Sequence, residues 1–248
     1  MDTIDVHELG TILSVWAHPD DETYLAGGVM AAAADAGLRV VCVSATAGEL
    51  GTSDPVAWPP ERLGRVRRWE ATAAASVLGL RDHRLLGLPD GALDAHEAEG
   101  QALVSALLDE IDPDTILTFG PDGATGHPDH IAVHRWVTEA WQRRGGSGRL
   151  LYATATVEHL DRFGGTYEDW GVYMSDVRPS GAPVDQLALH VLLDGEALDR
   201  KLTALRAMAT QTSAVIGALD EGVYAELVAE ESFVDASSLL VQASDAAR

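Results

Sequence analysis

The chain contains the words His18-Pro19-Asp20-Asp21-Glu22 and, far downstream, His127-Pro128-Asp129-His130. Imidazole nitrogens and carboxylate oxygens are the donors zinc takes, and a catalytic site uses three of them and leaves one position for water. His18 and Asp21 stand three apart, as do His127 and His130, each pair around a proline. Proline is favoured at the first position of a helix, and residues three apart there share a turn. Four side chains could therefore ligate a cation, which leaves Asp20 and Asp129 as spare carboxylates. Asp20 neighbours Asp21 but points elsewhere along the turn, so it is the better base for an attacking water, whose pKa a bound cation lowers toward about 7. One of His127 and His130 could then act as acid or electrophile at an oxyanion. Helices starting at these words would also aim their positive N-termini at the site. Either word alone reads equally well as a turn with a helix N-cap. Two of them, each behind a β-prone run, point to metal-assisted hydrolysis.

The elements around these words must bring them together. Thr11–Trp16, Val40–Ser44, His83–Leu86, Thr115–Phe119 and Arg149–Thr156 read as strands. Helical patterns fill Pro19–Ala36, Glu61–Leu78, Ala98–Ile111 and Ile131–Arg143. This alternation predicts an α/β fold, a Rossmann-like and mostly parallel sheet with helices on both faces. Sites in such sheets form beyond the carboxyl ends of the strands, where both words lie. Past Thr156 the pattern weakens. Residues 157–186, rich in aromatic, glycine and polar residues, read as an irregular, lid-like insertion, followed by a strand at Leu187–Leu192 and a helix at Gly195–Thr210. Residues 1–248 are expected to form a single domain, a length sufficient for one large core.

Composition narrows the partners. The net charge is −22, from 39 acidic and 17 basic residues, which argues against nucleic acid or an anionic membrane as a ligand. The one cysteine, Cys42, lies in an apolar run and reads as a buried core thiol, so no disulfide or cysteine metal site is expected. The N-terminus lacks a basic and then apolar leader, and no run reaches the roughly 18 apolar residues of a membrane span. A cytoplasmic protein is the expectation, with a homo-oligomer left open. There is no phosphate-binding Gly-rich loop, no nucleophile elbow, no dinucleotide fingerprint and no His-Glu-x-x-His helix. His134, four after His130, is expected to pack or support, and His7, His83, His96, His159 and His190 lack partners at ligand spacing. Trp58, Trp69, Trp136 and Trp141 read as core, whereas Trp170 and Tyr173 are better placed for ligand or subunit contact.

Ala17-His18-Pro19-Asp20-Asp21-Glu22 and Gly126-His127-Pro128-Asp129-His130 resemble the paired signature of the PIG-L/LmbE-type zinc-dependent sugar de-N-acetylases. Thr46–Gly51, Arg67-Arg68-Trp69-Glu70, Leu88–Gly91 and Lys201–Gln211 are similar to further segments of that family, so the resemblance spans nearly the whole chain. It implies zinc, with ferrous iron as the alternative, held by His18, Asp21 and His130. It implies Asp20 as general base and His127 as the group that polarises the carbonyl. It places Glu49, Arg67 and Asp90 at the substrate, the last two suited to sugar hydroxyls. Two positions depart from the family pattern: Thr125 stands where some members carry tyrosine, and Met208 where histidine is common.

The expected function is a metal-dependent amide hydrolase that removes the N-acetyl group from an N-acetylglucosamine-containing small molecule or glycoconjugate. The alternative within the same chemistry is an amidase acting on a thiol conjugate or another biosynthetic intermediate. A sugar-binding protein without turnover and a dinuclear phosphoesterase are the competing classes. Intact ligand and base candidates count against the first, and a stoichiometry of two metals would be needed for the second.

Overall fold

The computed structural model describes residues 6–239. Strands β1 (Ile12–Trp16), β2 (Val40–Ser44), β3 (Asp82–Leu85), β4 (Thr115–Phe119) and β5 (Arg149–Thr154) alternate with helices α1 (Asp21–Asp35), α2 (Pro60–Leu78), α3 (Glu97–Ile111), the short α4 (Gly123–Gly126) and α5 (Pro128–Arg143). Then follow α6 (Val157–Asp169), β6 (Leu189–Leu192), α7 (Gly195–Ala207), α8 (Ala209–Ala218), α9 (Glu221–Val228) and β7 (Glu230–Asp235). The sheet runs β3-β2-β1-β4-β5-β7-β6. Neighbours from β3 to β5 are parallel, while β7 pairs antiparallel with both β5 and β6. The expected doubly covered, mostly parallel sheet is present.

Burial explains the central strands. Every residue of β1, β2 and β4 is buried, as expected where helices cover both faces of a parallel sheet. Cys42 is one of these core residues, a buried free thiol. Strand order reverses at β1, whose two neighbours are β2 and β4. The crevice beyond the carboxyl ends of β1 and β4 is therefore a topological switch point, the usual place for a ligand in an open α/β sheet. His18 follows β1 by two residues, and the turn after Phe119 leads to His127.

Most boundaries fall within a few residues of the expected ones. Helix α5 starts at Pro128 rather than Ile131, because His127 caps it by accepting from the Asp129 N–H at 3.0 Å, so His130 lies in its first turn. The stretch 157–186 is less irregular than expected, since its first half is helix α6, capped by Thr156 Oγ1 accepting from the His159 N–H. The expected helix 195–210 breaks at Met208 into α7 and α8. Trp136 and Trp141 are buried as expected, but Trp69 is 79% exposed on α2 and is not core. Among the described residues, no helix is long and apolar enough to cross a membrane. The leaderless reading of the N-terminus concerns in part residues 1–5, which lie outside the described residues.

A buried ion pair fixes α1 against the C-terminal half. Lys201 Nζ donates to Glu231 Oε1 at 2.7 Å and to the Tyr24 carbonyl at 2.7 Å. Glu231 also accepts from the N–H groups of Gly28 and Val29. Both side chains are fully enclosed. Burial pushes the Lys201 ammonium down, and Glu231 opposes that shift. Breaking such a pair strands a charge in the core, at a cost of about 3–5 kcal/mol. Lys201→Met is therefore expected to lower the urea midpoint by a corresponding amount. An unchanged midpoint would show that the pair does not hold α1.

Candidate metal centre

Local backbone shapes the first word. Asp20 precedes α1 with φ of 127°, a conformation that costs a non-glycine residue about 1–3 kcal/mol and tends to mark functional sites. As the N-cap it would ordinarily turn its carboxylate onto the helix, yet it makes no side-chain cap. Glu22 instead accepts from the Asp20 N–H at 3.0 Å, and Asp21 Oδ2 accepts from the His18 N–H at 2.8 Å. The Asp20 carboxylate therefore makes no bond to α1, and it pairs instead with Arg67 Nη2 at 3.1 Å.

The two words converge. His18 Nδ1 lies 3.5 Å from Asp21 Oδ2 and 3.3 Å from His130 Nε2, and His130 Nε2 lies 3.3 Å from Asp21 Oδ1. Donors about 2.0–2.1 Å from a tetrahedral cation stand roughly 3.3–3.4 Å apart, so the two rings and the Asp21 carboxylate, which turns a different oxygen to each, are spaced to hold one. The outer nitrogens fix both tautomers. His130 Nδ1 is 2.9 Å from the Gly123 carbonyl, and His18 Nε2 is 3.0 Å from Asp90 Oδ1 and 3.3 Å from Asp129 Oδ2. A ring that donates outward presents its other lone pair inward, the usual arrangement of a metal-bound histidine. Gly123 makes this approach available: its φ is +64°, and a Cβ there would fall 2.9 Å from that of His130.

A second grouping, His18 with His127 and Asp129, is also close enough to hold an ion. Its lone pairs are occupied. Asp129 accepts from the N–H groups of Gly91 and Leu93 as well as facing His18, and His127 Nδ1 accepts from the Asp129 N–H. With Nδ1 an acceptor, neutral His127 carries its proton on Nε2. Its ring lies 4.8 Å from each of the His18 and His130 rings.

Electrostatics divides the carboxylates. Burial pushes Asp20 up to about 7, against the pull of Arg67 and with the push of Asp21 and Glu22. Burial would raise Asp21 too, but His130 and His18 hold it well below the usual range. Burial lowers His127, and His18 lowers it further. His130 is pushed down to about 4, chiefly by burial. Burial would also lower His18, but Asp129, Asp21 and Asp90 outweigh it and hold the ring well above its ordinary value. These groups favour positive charge at the point where the three donors meet.

The residues expected at the substrate form a supporting network. Arg67 is buried; Nη1 donates to the Gly48 carbonyl and Nη2 to the Pro19 carbonyl as well as to Asp20. Gly48 has φ of +63°, and a Cβ on it would fall 2.0 Å from Arg67 Nη1. Asp90 accepts from the Leu50 N–H at 2.7 Å, and Glu49 accepts from the Asp90 N–H at 3.1 Å. His134 packs, with Nδ1 on the Phe119 carbonyl. Sequence reasoning gave no role to Glu22, the last letter of the first word, and left Asp129 a spare carboxylate. His159 and His190 do have a shared partner, Glu230, which only the fold supplies. Met208 is buried in the core, whereas Thr125 Oγ1 lies 3.4 Å from His130 Nδ1.

A cavity of about 310 Å³ opens beside Asp21, Thr125 and His130 and runs toward α6. Trp170 and Tyr173, singled out as contact candidates, are on its wall.

The chain matches, over residues 13–141, the PIG-L family model described as GlcNAc-PI de-N-acetylase. It is 34% identical to a 1D-myo-inositol 2-acetamido-2-deoxy-alpha-D-glucopyranoside deacetylase of Saccharomonospora viridis, over 61% of this chain and 65% of that protein. The protein of the same name from Corynebacterium glutamicum is 33% identical over 81% of this chain and 74% of its own length. Among solved structures, the A40926 pseudoaglycone deacetylase Dbv21 superposes with a TM-score of 0.66 at 23% identity, covering 92% of this chain and 97% of that one. The 4-carboxy-2-hydroxymuconate hydratase GalB from Pseudomonas putida superposes with a TM-score of 0.62 at 20% identity, covering 92% and 96%. The fold thus carries more than one chemistry, and the site must decide between them.

The Asp129 carboxylate lies against His18 and accepts from two backbone N–H groups, outside the His18, Asp21 and His130 set. Losing such a partner typically weakens metal affinity about 10- to 100-fold. Asp129→Asn is expected to do so in a zinc titration against a chromophoric chelator. Wild-type affinity in this variant would contradict the orienting role.

Proposed function

Since the chain belongs to the PIG-L family, we propose that it is a metal-dependent amide hydrolase, a single catalytic domain that removes the acetyl group from an N-acetylglucosamine-containing small molecule. One observation carries the reading: two imidazole nitrogens and the Asp21 carboxylate face one another at 3.3–3.5 Å, accompanied by the Arg67-held Asp20 carboxylate and an imidazole N–H. His18, Asp21 and His130 would hold the cation, zinc by preference for this donor set, with ferrous iron as the competitor. Bound there, the cation supplies a Lewis acid that polarises the acetyl carbonyl and acidifies the attacking water.

The chain's own groups do the remainder. Asp20 takes the proton of the attacking water and returns it to the sugar nitrogen as the C–N bond breaks, releasing the amine and acetate, and Arg67 fixes its carboxylate through the 3.1 Å contact. His127 donates its Nε2–H to the oxygen that becomes negative as the carbonyl turns tetrahedral. Capping of α5 holds its ring in that tautomer before substrate arrives. Asp90 and Asp129 keep His18 oriented. The curated relatives' names specify an inositol-linked acetamido sugar, which supports an N-acetylglucosamine moiety as the part recognised here.

An amine-release assay over an N-acetylhexosamine panel tests the reading, with protein loaded separately with zinc and with ferrous iron. Release is expected, and chelator is expected to abolish it. Asp20→Asn should lower kcat by about 10²-fold or more while metal still binds at one ion per chain. His127→Ala should lower kcat by about 10²–10³-fold with KM changed little. No amine from any panel member with either metal would overturn the proposal, and so would an Asp20→Asn variant that turns over at the wild-type rate.

A further inference from the structure

We infer that the substrate carries an uncharged apolar group, aliphatic or aromatic, seated in the cavity beside the metal centre. This rests on the amide-hydrolase reading above and names what that reading leaves open.

The cavity begins at Asp21, Thr125 and His130 and is walled by apolar surface from four directions: Leu25 of α1, Leu160 and Trp170 around α6, Val215 of α8 and Leu227 of α9. Its volume, about 310 Å³, is at the small end of the range for ligand pockets, about 300–1,000 Å³. A sugar ring buried here would need hydrogen-bond partners for its hydroxyls, since each one left unpaired costs about 1–3 kcal/mol. Several polar groups of the wall already have partners. Tyr24 Oη bonds Tyr224 Oη at 3.1 Å, and His159 Nε2 bonds Tyr167 Oη at 2.8 Å. Glu230 is held by His159 and His190, and Asp122 accepts from the Ala124 N–H. What they leave exposed to a ligand is mainly hydrocarbon.

Charge narrows the occupant further. The described residues lining the cavity include the acids Asp21, Asp122 and Glu230 and no lysine or arginine. Away from the metal ligands, a phosphate or carboxylate on the buried group would meet Asp122 and Glu230 with no lysine or arginine of the lining to pair it, and burying an unpaired charge is costly.

Such a group could be attached on either side of the scissile amide, as an acyl chain longer than acetyl or as an apolar aglycone. The test has one arm for each. In the first, kcat/KM is measured for N-acetyl-, N-butyryl- and N-octanoyl-glucosamine. In the second, it is measured for the methyl and octyl glycosides of N-acetylglucosamine. Burying a methylene contributes up to about a fourfold gain, so a rise of about tenfold or more is expected along one series, and the responding series identifies the side. A terminal carboxylate on that chain should cancel the gain, and Leu160→Glu should bring the long-to-short ratio close to one. Flat series in both arms would overturn the inference while leaving the hydrolase reading intact. Binding of the long- and short-chain compounds to metal-loaded Asp20→Asn, read by calorimetry, separates the two ideas. Tighter binding of a long-chain compound with no amine release by the wild type would sink the hydrolase reading and support the cavity's role.

Discussion

Three electron-pair donors pointed at one another are an unfavourable arrangement in a protein interior unless a positive charge sits between them. His18 Nδ1 and His130 Nε2 stand 3.3 Å apart, each 3.3–3.5 Å from a different oxygen of the Asp21 carboxylate, and groups outside this set hold them there. The Gly123 carbonyl fixes one ring, Asp90 and Asp129 fix the other, and the His18 N–H fixes the carboxylate. Much of the surrounding structure follows from this constraint. Gly123 is left-handed, α5 starts at Pro128 with His127 as its N-cap, and the loop carrying Asp90 returns to His18. The buried Lys201–Glu231 pair serves the same end from a distance, since it anchors the helix whose first residue is Asp21.

The two near-identical words therefore do different work because their backbones differ. In the second, His127 is a regular N-cap, so its Nδ1 is spent on the helix and its Nε2 is left as a donor. In the first, Asp20 occupies the N-cap position with φ of 127° and gives no side-chain bond to the helix. The Asp20 carboxylate is thus not spent on the helix, and Arg67, itself tied to the Gly48 and Pro19 carbonyls, holds it instead. In the proposed role of base, a carboxylate so held would be ready before a substrate arrives, as preorganised catalysis requires.

Much of this was legible in the sequence. Alternation of short apolar runs with alanine- and leucine-rich stretches gives the parallel half of the sheet, and the two words sit where that topology puts a ligand. Residue types and spacing gave the candidate donors. The rest depends on distance in space. Nothing in the spacing indicates that Arg67 turns inward to Asp20, or that Asp129 is consumed by backbone N–H groups of a loop some forty residues earlier. Strand β7 was missed because it inserts antiparallel between β5 and β6, out of sequence order. Helix α6 was missed because its glycines and aromatic residues read as loop. The cavity could not be foreseen either, because α1, α6, α8 and α9 each give only part of its wall.

The central claim is that His18, Asp21 and His130 together hold one catalytic cation, with His127 close by but unligated. X-ray absorption at the metal edge of zinc-loaded protein addresses it directly. The expected result is one zinc per chain with only nitrogen and oxygen neighbours at about 2.0–2.2 Å, two of them imidazoles, and a spectrum unchanged in His127→Ala. Three imidazoles in the wild type, with one lost in His127→Ala, would contradict it.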